Sequence, residues 1–232
     1  MKVIKYTTIG SRKTNEDSLS VIERKETIFA CVADGVGGLD NGEFASHFVK
    51  EEFEWYCNES SNPDLVSFLK NVNARLITVA TEKFGSAKSA TTFTGGIITN
   101  AVIRGAHVGD SRVCVLRGNG IKQLTEIHTE LGRLVREGRV DLIESQHHRG
   151  KNVLERAVGR VENFYPQVFE FDLSPGDRIL FSTDGFHDTL SKEDIRDISI
   201  RYKSLDEFGR QLLIELDNRI LGDNTTFICV EV

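Results

Sequence analysis

The spacing of apolar residues changes twice along this 232-residue chain, and each change marks a predicted change of secondary structure. Short runs rich in β-branched residues, separated by polar turns, predict strands at residues 3–9, 18–22 and 27–33. Apolar positions then recur every three or four residues, which predicts a helix over residues 42–57. A second predicted helix runs to Phe84, with Asn62 as its N-cap and Pro63 at its first position.

The strand pattern returns in the middle of the chain and again near its end. Strands are predicted at residues 91–99, 101–108, 112–117, 168–172, 178–182 and 225–232. A short helix is predicted at residues 128–137, followed by a polar segment over residues 138–163 that we expect to flank the site. Two capping boxes are predicted, Ser191 with Asp194 and Ser204 with Glu207, and the second opens a strongly amphipathic helix.

Adjacent strands without intervening helices, and helices that come in pairs, are typical of an α+β fold. We expect two antiparallel sheets flanked by helix pairs. The chain shows no linker, repeat or low-complexity segment, so a single domain over residues 1–232 is the economical interpretation.

Composition narrows the range of functions that the chain could have. The net charge of −6 disfavours binding to nucleic acid or to an anionic membrane surface. No apolar stretch approaches the length of a membrane span and the first residues lack a signal-peptide core, so a cytoplasmic location is the default expectation. The four cysteines have no metal-ligand spacing, and three lie in apolar runs, so buried reduced thiols are expected.

Acidic residues recur at predicted strand ends or turns, far apart in sequence: Glu16, Asp17, Asp34, Asp110, Asp184 and Asp223. Any one of these aspartates suits an ordinary turn, because its side chain bonds nearby backbone. Together they suggest carboxylates that converge at one edge of the sheets, where cations would have to offset their repulsion. Oxygen ligands without a His or Cys cluster favour Mg²⁺ or Mn²⁺ over Zn²⁺.

Eight short motifs in order give this pattern a family resemblance. The chain resembles the metal-dependent serine/threonine protein phosphatases of type 2C, especially the compact bacterial members. The motifs are RKTNED (12–17), ADGVGG (33–38), SATTF (89–93), VGDSR (108–112), LTEIHT (124–129), NVLERAVG (152–159), PGDRILFSTDGFHD (175–188) and GDNTT (222–226). The resemblance implies a four-layer α-β-β-α sandwich with the metals in a cleft at one end of the two sheets.

The resemblance also implies roles for individual residues. Asp34 bridges two metal ions and Gly35 lends its backbone carbonyl, while Asp184 and Asp223 complete the second metal's shell. The implied roles of the remaining residues are ordering of metal-bound water by Glu16 and Asp17, substrate phosphate binding by Arg12, and a third, weaker metal site at Asp110 and Asp188. Two such cations activate one water for in-line attack on phosphorus, and the Arg12 guanidinium suits two phosphate oxygens.

Three positions need comment. Val36 stands where many eukaryotic members carry a histidine proposed to protonate the leaving alkoxide, so that role does not carry over. Ala90 replaces the usual glycine before the double threonine, which we expect to change local packing only. His187 has no expected family role, and we interpret it as a histidine on the rim of the site.

The predicted function is hydrolysis of phosphoserine and phosphothreonine on proteins, opposing a serine/threonine kinase. The expected cofactors are two Mn²⁺ or Mg²⁺ ions with a third at the weaker site. The expected partners are phosphoprotein substrates and that kinase, and the chain is expected to act as a monomer. Two alternatives stay open: a pseudophosphatase that only binds phosphoproteins, and a hydrolase of small phosphoesters.

Overall fold

The computed structural model describes residues 1–36, 41–140, 150–151, 153–162 and 164–232. Within these residues, ten strands form two antiparallel sheets of five. The strands are β1 Lys2–Thr8, β2 Asp17–Arg24, β3 Thr27–Asp34, β4 Phe93–Ile98, β5 Val102–Val108, β6 Arg112–Arg117, β7 Gly120–Gln123, β8 Gln167–Asp172, β9 Arg178–Ser182 and β10 Thr225–Glu231. One sheet has the order β1-β10-β9-β6-β7 and the other β2-β3-β4-β5-β8.

Six helices accompany the sheets in the described residues. They are α1 Gly42–Glu59, α2 Leu65–Phe84, α3 Glu130–Arg136, α4 Asp184–Thr189, α5 Lys192–Arg201 and α6 Leu205–Asp217. None of them is long and apolar enough to cross a membrane.

Three apolar clusters hold the layers together. The α1 and α2 side chains pack on the β2-β3-β4-β5-β8 sheet around Phe53, Leu69 and Phe93. A second cluster lies between the two sheets, and a third, which includes Phe208 and Phe227, joins the other sheet to α4, α5 and α6. The layers therefore run helices, sheet, sheet, helices, and the expected α-β-β-α sandwich is confirmed.

At the helix ends, one predicted cap is wrong and another is confirmed. Asn62 does not cap α2; the carboxylate of Asp64 does, accepting hydrogen bonds from the N–H groups of Val66 and Ser67. Pro63 therefore precedes the cap and is not the first residue of the helix. The α5 capping box at Ser191 and Asp194 is confirmed.

The second predicted capping box is only half present. Ser204 accepts a hydrogen bond from the Glu207 N–H, but the Glu207 carboxylate accepts from the Ser204 hydroxyl and not from its backbone. The short helix predicted at residues 128–137 starts later, at Glu130, because the Thr129 side chain caps it. Helix α4 was not predicted, since six residues are too few to show a helical period.

All four cysteines are free and buried. Burial raises the pKa of the Cys57 and Cys229 thiols to about 12 and that of Cys114 to about 11. The expectation of buried thiols is confirmed, and none is poised to act as a nucleophile.

A fully buried histidine ties β4 and β5 to the segment before α3. His107 Nε2 donates to the Glu126 carbonyl at 2.9 Å, so its Nδ1 is free to accept from the Thr94 hydroxyl at 2.7 Å. Its ring stacks on His128 with centroids 4.7 Å apart. Burial lowers the pKa of His107 to about 4, so the folded protein keeps this ring neutral.

We expect this histidine to make stability depend on pH. In the unfolded chain His107 gains a proton near pH 6.5, whereas in the folded chain the ring stays neutral down to about pH 4. The stabilising contribution of neutral His107 to the free energy of unfolding is therefore complete above pH 6.5. It decreases as the pH drops and is about 2 kcal/mol smaller at pH 5. Urea unfolding of wild type and His107→Gln with a chelator at pH 7, 6 and 5 measures it. The variant should show a shallower loss of stability with acid, and equal slopes would contradict the assignment.

Candidate metal and phosphate site

Strand pairing places two of the predicted carboxylates opposite each other. β2 and β3 pair antiparallel with Asp17 directly opposite Asp34 at the end of the ladder. Asp34 is the last residue of β3 and is partly exposed to a cleft, while Asp17 is buried behind it. Cross-strand neighbours lie about 5 Å apart, so two acidic groups share one edge of this sheet.

The other sheet brings Asp184 and Asp223 to the same edge. Asp184 follows β9 and starts α4, and Asp223 lies two residues before β10. The two sheets are joined here by Thr183, whose hydroxyl donates to Asp17 Oδ2 at 2.8 Å and accepts from the Thr226 N–H at 3.1 Å. Because that hydroxyl bridges the sheets, it does not cap α4.

The cleft between these strand ends has a volume of about 640 Å³. All the predicted site residues line it except Asp17, which lies beneath, and Asp188, which faces a neighbouring cavity. The predicted residues that line the cleft are Arg12, Glu16, Asp34, Gly35, Asp110, Asp184 and Asp223. The structure thus brings together residues separated by as many as 211 positions in the sequence.

Burial, together with the crowding of carboxylates, raises their pKa values. Burial, followed by repulsion from Asp17 and Asp184, holds the pKa of Asp34 well above its usual range. Burial is also the largest cause for Asp17 and Asp110, whose pKa values rise to about 7, and for Asp184, whose pKa also rises. Positive charge placed among these groups would be strongly stabilised.

Arg12 supplies a positive charge at the rim. Its Nη2 lies 2.5 Å from Asp223 Oδ2, and the pair is half exposed. Hydrogen bonding and attraction to Asp223 raise the pKa of Arg12. Glu16 lies nearby, and its pKa is raised mainly by burial, against the opposing attraction of Arg12.

The donor chemistry fits hard divalent cations. The cleft offers carboxylate and backbone oxygens, and Asp17 Oδ1 is buried without a hydrogen-bond partner. In the described part of the chain, no group of three or more His, Cys, Asp or Glu side chains is arranged to hold a metal ion. The Asp223 carboxylate is paired with Arg12, and that of Asp188 with Lys151 at 2.7 Å, so these two predicted ligands do not close a cluster with the others.

Gly35 has a reason to be glycine that the sequence did not reveal. A Cβ at this position would meet the Gly42 carbonyl oxygen at 2.4 Å and the Glu16 carbonyl oxygen at 2.9 Å. The Gly35 N–H also donates to the Glu16 carbonyl at 3.0 Å. The start of α1, the Glu16 segment and the end of β3 therefore pack backbone to backbone. Gly37 and Gly38, which complete the glycine-rich motif, lie outside the described residues.

Sequence reasoning missed the hydroxyl groups that hold Asp34. The Thr91 hydroxyl donates to the Asp34 carbonyl at 2.8 Å, and the Asp34 N–H donates to the Thr92 hydroxyl at 2.9 Å. Thr92 is bonded in turn to Ser111, beside Asp110. The two threonines of the SATTF motif were the available signal. Beside them, the carbonyl oxygen of the buried Ala90 accepts a hydrogen bond from the Val36 N–H at 2.9 Å.

Asn224 was also missed, although its neighbour Asp223 was predicted. Its amide nitrogen donates to the carbonyls of Ile9 and Thr14, both at 2.9 Å, and its oxygen accepts from the Glu16 N–H at 2.8 Å. These bonds hold both ends of the loop that carries Arg12 against the start of β10.

His187 lies at the boundary with the neighbouring cavity, as one of its lining residues. Its Nδ1 lies 3.2 Å from the Ser182 hydroxyl. Burial and the charges of Arg112, Lys151 and Lys192 keep its pKa well below the usual value, so the ring is neutral. It does not line the cleft that holds Asp34.

Removing the Asn224 side chain should loosen the Arg12 loop. We expect Asn224→Ala to lower the free energy of unfolding by about 2 kcal/mol, because two carbonyls and one N–H lose a buried partner. The matched control Asn58→Ala, at an exposed position of α1, should change it by less than about 0.5 kcal/mol. Urea unfolding measures both, and equal effects at the two positions would refute the role of Asn224.

Comparison with known proteins agrees with this geometry. The protein phosphatase 2C family model matches residues 6–220. The serine/threonine phosphatase stp of Listeria welshimeri is 28% identical over 229 residues, covering 95% of this chain and 91% of its own. Protein phosphatase PhpP of Streptococcus pneumoniae is 26% identical, covering 85% and 84%.

A solved structure shows the same fold. The crystal structure of serine/threonine phosphatase Stp1 from Staphylococcus aureus superposes with a TM-score of 0.90 at 25% identity, covering all of this chain and 94% of its own. The family match spans strands β2 to β9 in full, whereas Asp223 and strand β10 lie beyond its end at residue 220. This chain belongs to the protein phosphatase 2C family.

Proposed function

We propose that this chain hydrolyses phosphoserine and phosphothreonine esters on proteins, with Mn²⁺ or Mg²⁺ bound at the cleft carboxylates. The observation that carries the proposal is the cleft itself: five carboxylates line an open cavity with a guanidinium at its rim. The carboxylates are suited to binding cations, and the guanidinium is suited to binding a negatively charged phosphate. The names of the relatives support the choice of substrate.

Asp34, Asp184, Asp223 and the Gly35 carbonyl would hold two cations, with Glu16 and Asp17 ordering water beside them. Asp110 and Asp188 would contribute to a third, weaker site. Bound cations supply a water activated for attack on phosphorus and neutralise the phosphoryl oxygens. The protein's own contribution is to hold the donors rigidly, through the threonine hydroxyls on Asp34 and Asp17.

Arg12 would release Asp223 and bind the substrate phosphate in its place. Its pairing with Asp223 is half exposed, so the exchange costs little. A guanidinium can donate two parallel hydrogen bonds to a phosphate, which orients the ester for in-line attack. Asp223 is then released to join the other carboxylates.

The leaving alkoxide needs a proton from water, because Val36 lines the cleft where many eukaryotic members carry a histidine. Val36 cannot transfer a proton, and the neutral His187 lies outside this cleft. A serine or threonine leaving group would then depart with help from an ordered water.

The same proposal assigns the enzyme to the cytoplasm as a monomer that opposes a serine/threonine kinase. A phosphomonoester on a serine or threonine hydroxyl has to be made by such a kinase. The net charge of −6 supports protein substrates over nucleic acid.

A phosphopeptide assay tests the proposal. The purified chain should release phosphate from a phosphothreonine peptide with Mn²⁺ or Mg²⁺ and should be inactive with a chelator. Asp34→Ala and Asp184→Ala should each lose more than about 100-fold in kcat/KM, because each removes a metal ligand. The matched control Asp197→Ala removes an exposed aspartate of α5 and should keep full activity.

Calorimetric titration with Mn²⁺ separates binding from catalysis in the same variants. Weaker Mn²⁺ binding by Asp34→Ala together with lost turnover supports the proposal. Turnover that persists with chelator or in both variants would overturn it, and metal binding without turnover of any phosphopeptide would favour a phosphoprotein-binding role.

Arg12 has its own test. We expect Arg12→Lys to raise KM for the phosphopeptide by about tenfold with a smaller change in kcat, because a point charge replaces a two-pronged donor. Arg196→Lys, at an exposed ion pair of α5, is the matched control and should behave as wild type. An unchanged KM in Arg12→Lys would exclude Arg12 from phosphate binding.

A further inference from the structure

A second cavity adjoins the phosphate cleft. It has a volume of about 570 Å³ and shares Asp110 and Asp184 with the cleft, so the two spaces meet along those carboxylates. Its far wall is apolar and consists of Ile127, Leu131 and Val135. Leu131 and Val135 are four apart on one face of α3, and Ile127 lies in the non-helical segment before it.

This apolar wall is separate from the clusters that hold the layers together, and of its three residues Leu131 is buried. In the described chain, Ile127, Leu131 and Val135 belong to none of the three apolar clusters that hold the layers together. Ile127 and Val135 are partly exposed. An apolar surface that faces a cavity, and is not needed to hold the fold, is available for a ligand.

The wall is held rigidly relative to the catalytic carboxylates. His128 N–H donates to the Gly109 carbonyl at 2.8 Å, and the Gly109 N–H donates to His128 Nδ1 at 3.1 Å, immediately before Asp110. Gly132 lets α3 approach closely, since a Cβ there would meet the Ile127 carbonyl oxygen at 2.3 Å. The distance from this wall to the cleft is therefore set by the fold.

The charges around the second cavity are largely matched. Arg136 pairs with Glu126 and Lys151 with Asp188. The Arg112 guanidinium, with its Nε buried and unbonded, lies in the field of Asp110, Asp184 and Asp188. A charged side chain of either sign would give up its hydration on entering this cavity and would meet fixed charges of both signs, whereas an aliphatic side chain has no charge to desolvate.

We propose that this second cavity, lined by Ile127, Leu131 and Val135, binds a large aliphatic side chain of the phosphoprotein close in sequence to the phosphorylated residue. The inference rests on the proposed function, since it requires a phosphorylated segment in the adjacent cleft. An extended peptide advances about 3.3 Å per residue, so a side chain within four positions of the phosphoresidue can reach across the shared carboxylates. Substrate choice thus depends on an apolar contact beyond the phosphate.

A peptide series tests the assignment on the wild-type protein. Alanine-rich phosphothreonine peptides carry one leucine at each position from four before to four after the phosphoresidue. We expect kcat/KM to rise about tenfold for leucine at one position or two neighbouring ones. Glutamate or lysine at the same position should give no gain. Equal hydrolysis of the whole series, or a preference for a charged residue there, would overturn the inference.

Matched variants then locate the contact. Ile127→Thr and Val135→Thr keep a β-branched shape and remove apolar surface, and each should lose most of the leucine preference. Their activity towards the alanine peptide and towards p-nitrophenyl phosphate, which has no flanking residues, should stay near wild type. Ile220→Thr, at an exposed position outside both cavities, is the control and should keep the preference.

These substrates separate the two proposals. Failure to hydrolyse p-nitrophenyl phosphate and every peptide would overturn the proposed function itself. Hydrolysis of all peptides with an undiminished leucine preference in both threonine variants would leave the phosphatase activity intact and remove this cavity as its cause.

Discussion

The pairing of Asp17 with Asp34 across β2 and β3 is the constraint on which the rest of the site depends. Two acidic residues at one ladder end are unfavourable for a sheet, because burial and repulsion both oppose their ionisation. The fold holds them in place with hydroxyl groups: Thr91 and Thr92 bond the Asp34 backbone, and Thr183 donates to the Asp17 carboxyl group. Stability is thus given up at one edge of the sandwich to concentrate negative charge there, as is common where chemistry takes place.

The two sheets contribute differently to this edge. The β2-β3-β4-β5-β8 sheet supplies Asp34 and, in the turn after β5, Asp110. The other sheet supplies Asp184 after β9 and Asp223 before β10. The apolar cluster between the sheets sets their separation, and the Thr183–Asp17 hydrogen bond joins them at the site. The cleft is therefore a property of sheet packing, and its acidic lining follows from where the strands end.

Much of the fold could be predicted from local pattern, because β-branched runs and helical periods are short-range signals. The individual carboxylates were predictable as strand-end residues, and their grouping came from the order of eight motifs. Local pattern could not predict contacts between distant segments. These contacts are the pairing of Asp17 with Asp34, the ion pair of Arg12 with Asp223 and the three hydrogen bonds of Asn224. The α2 cap was misplaced because Asn62 and Asp64 are both plausible caps, and only the geometry selects the aspartate.

The position of β10 has a consequence for biosynthesis. β10 lies between β1 and β9 in its sheet, and its leading residues hold the Arg12 loop. Strand β1 and that loop emerge early from the ribosome, yet their partner strand is made more than 200 residues later. Contacts of such long range form late. A nascent chain therefore carries most of its acidic residues before it has a complete cleft, because the cleft is complete only once β10 has been made and paired.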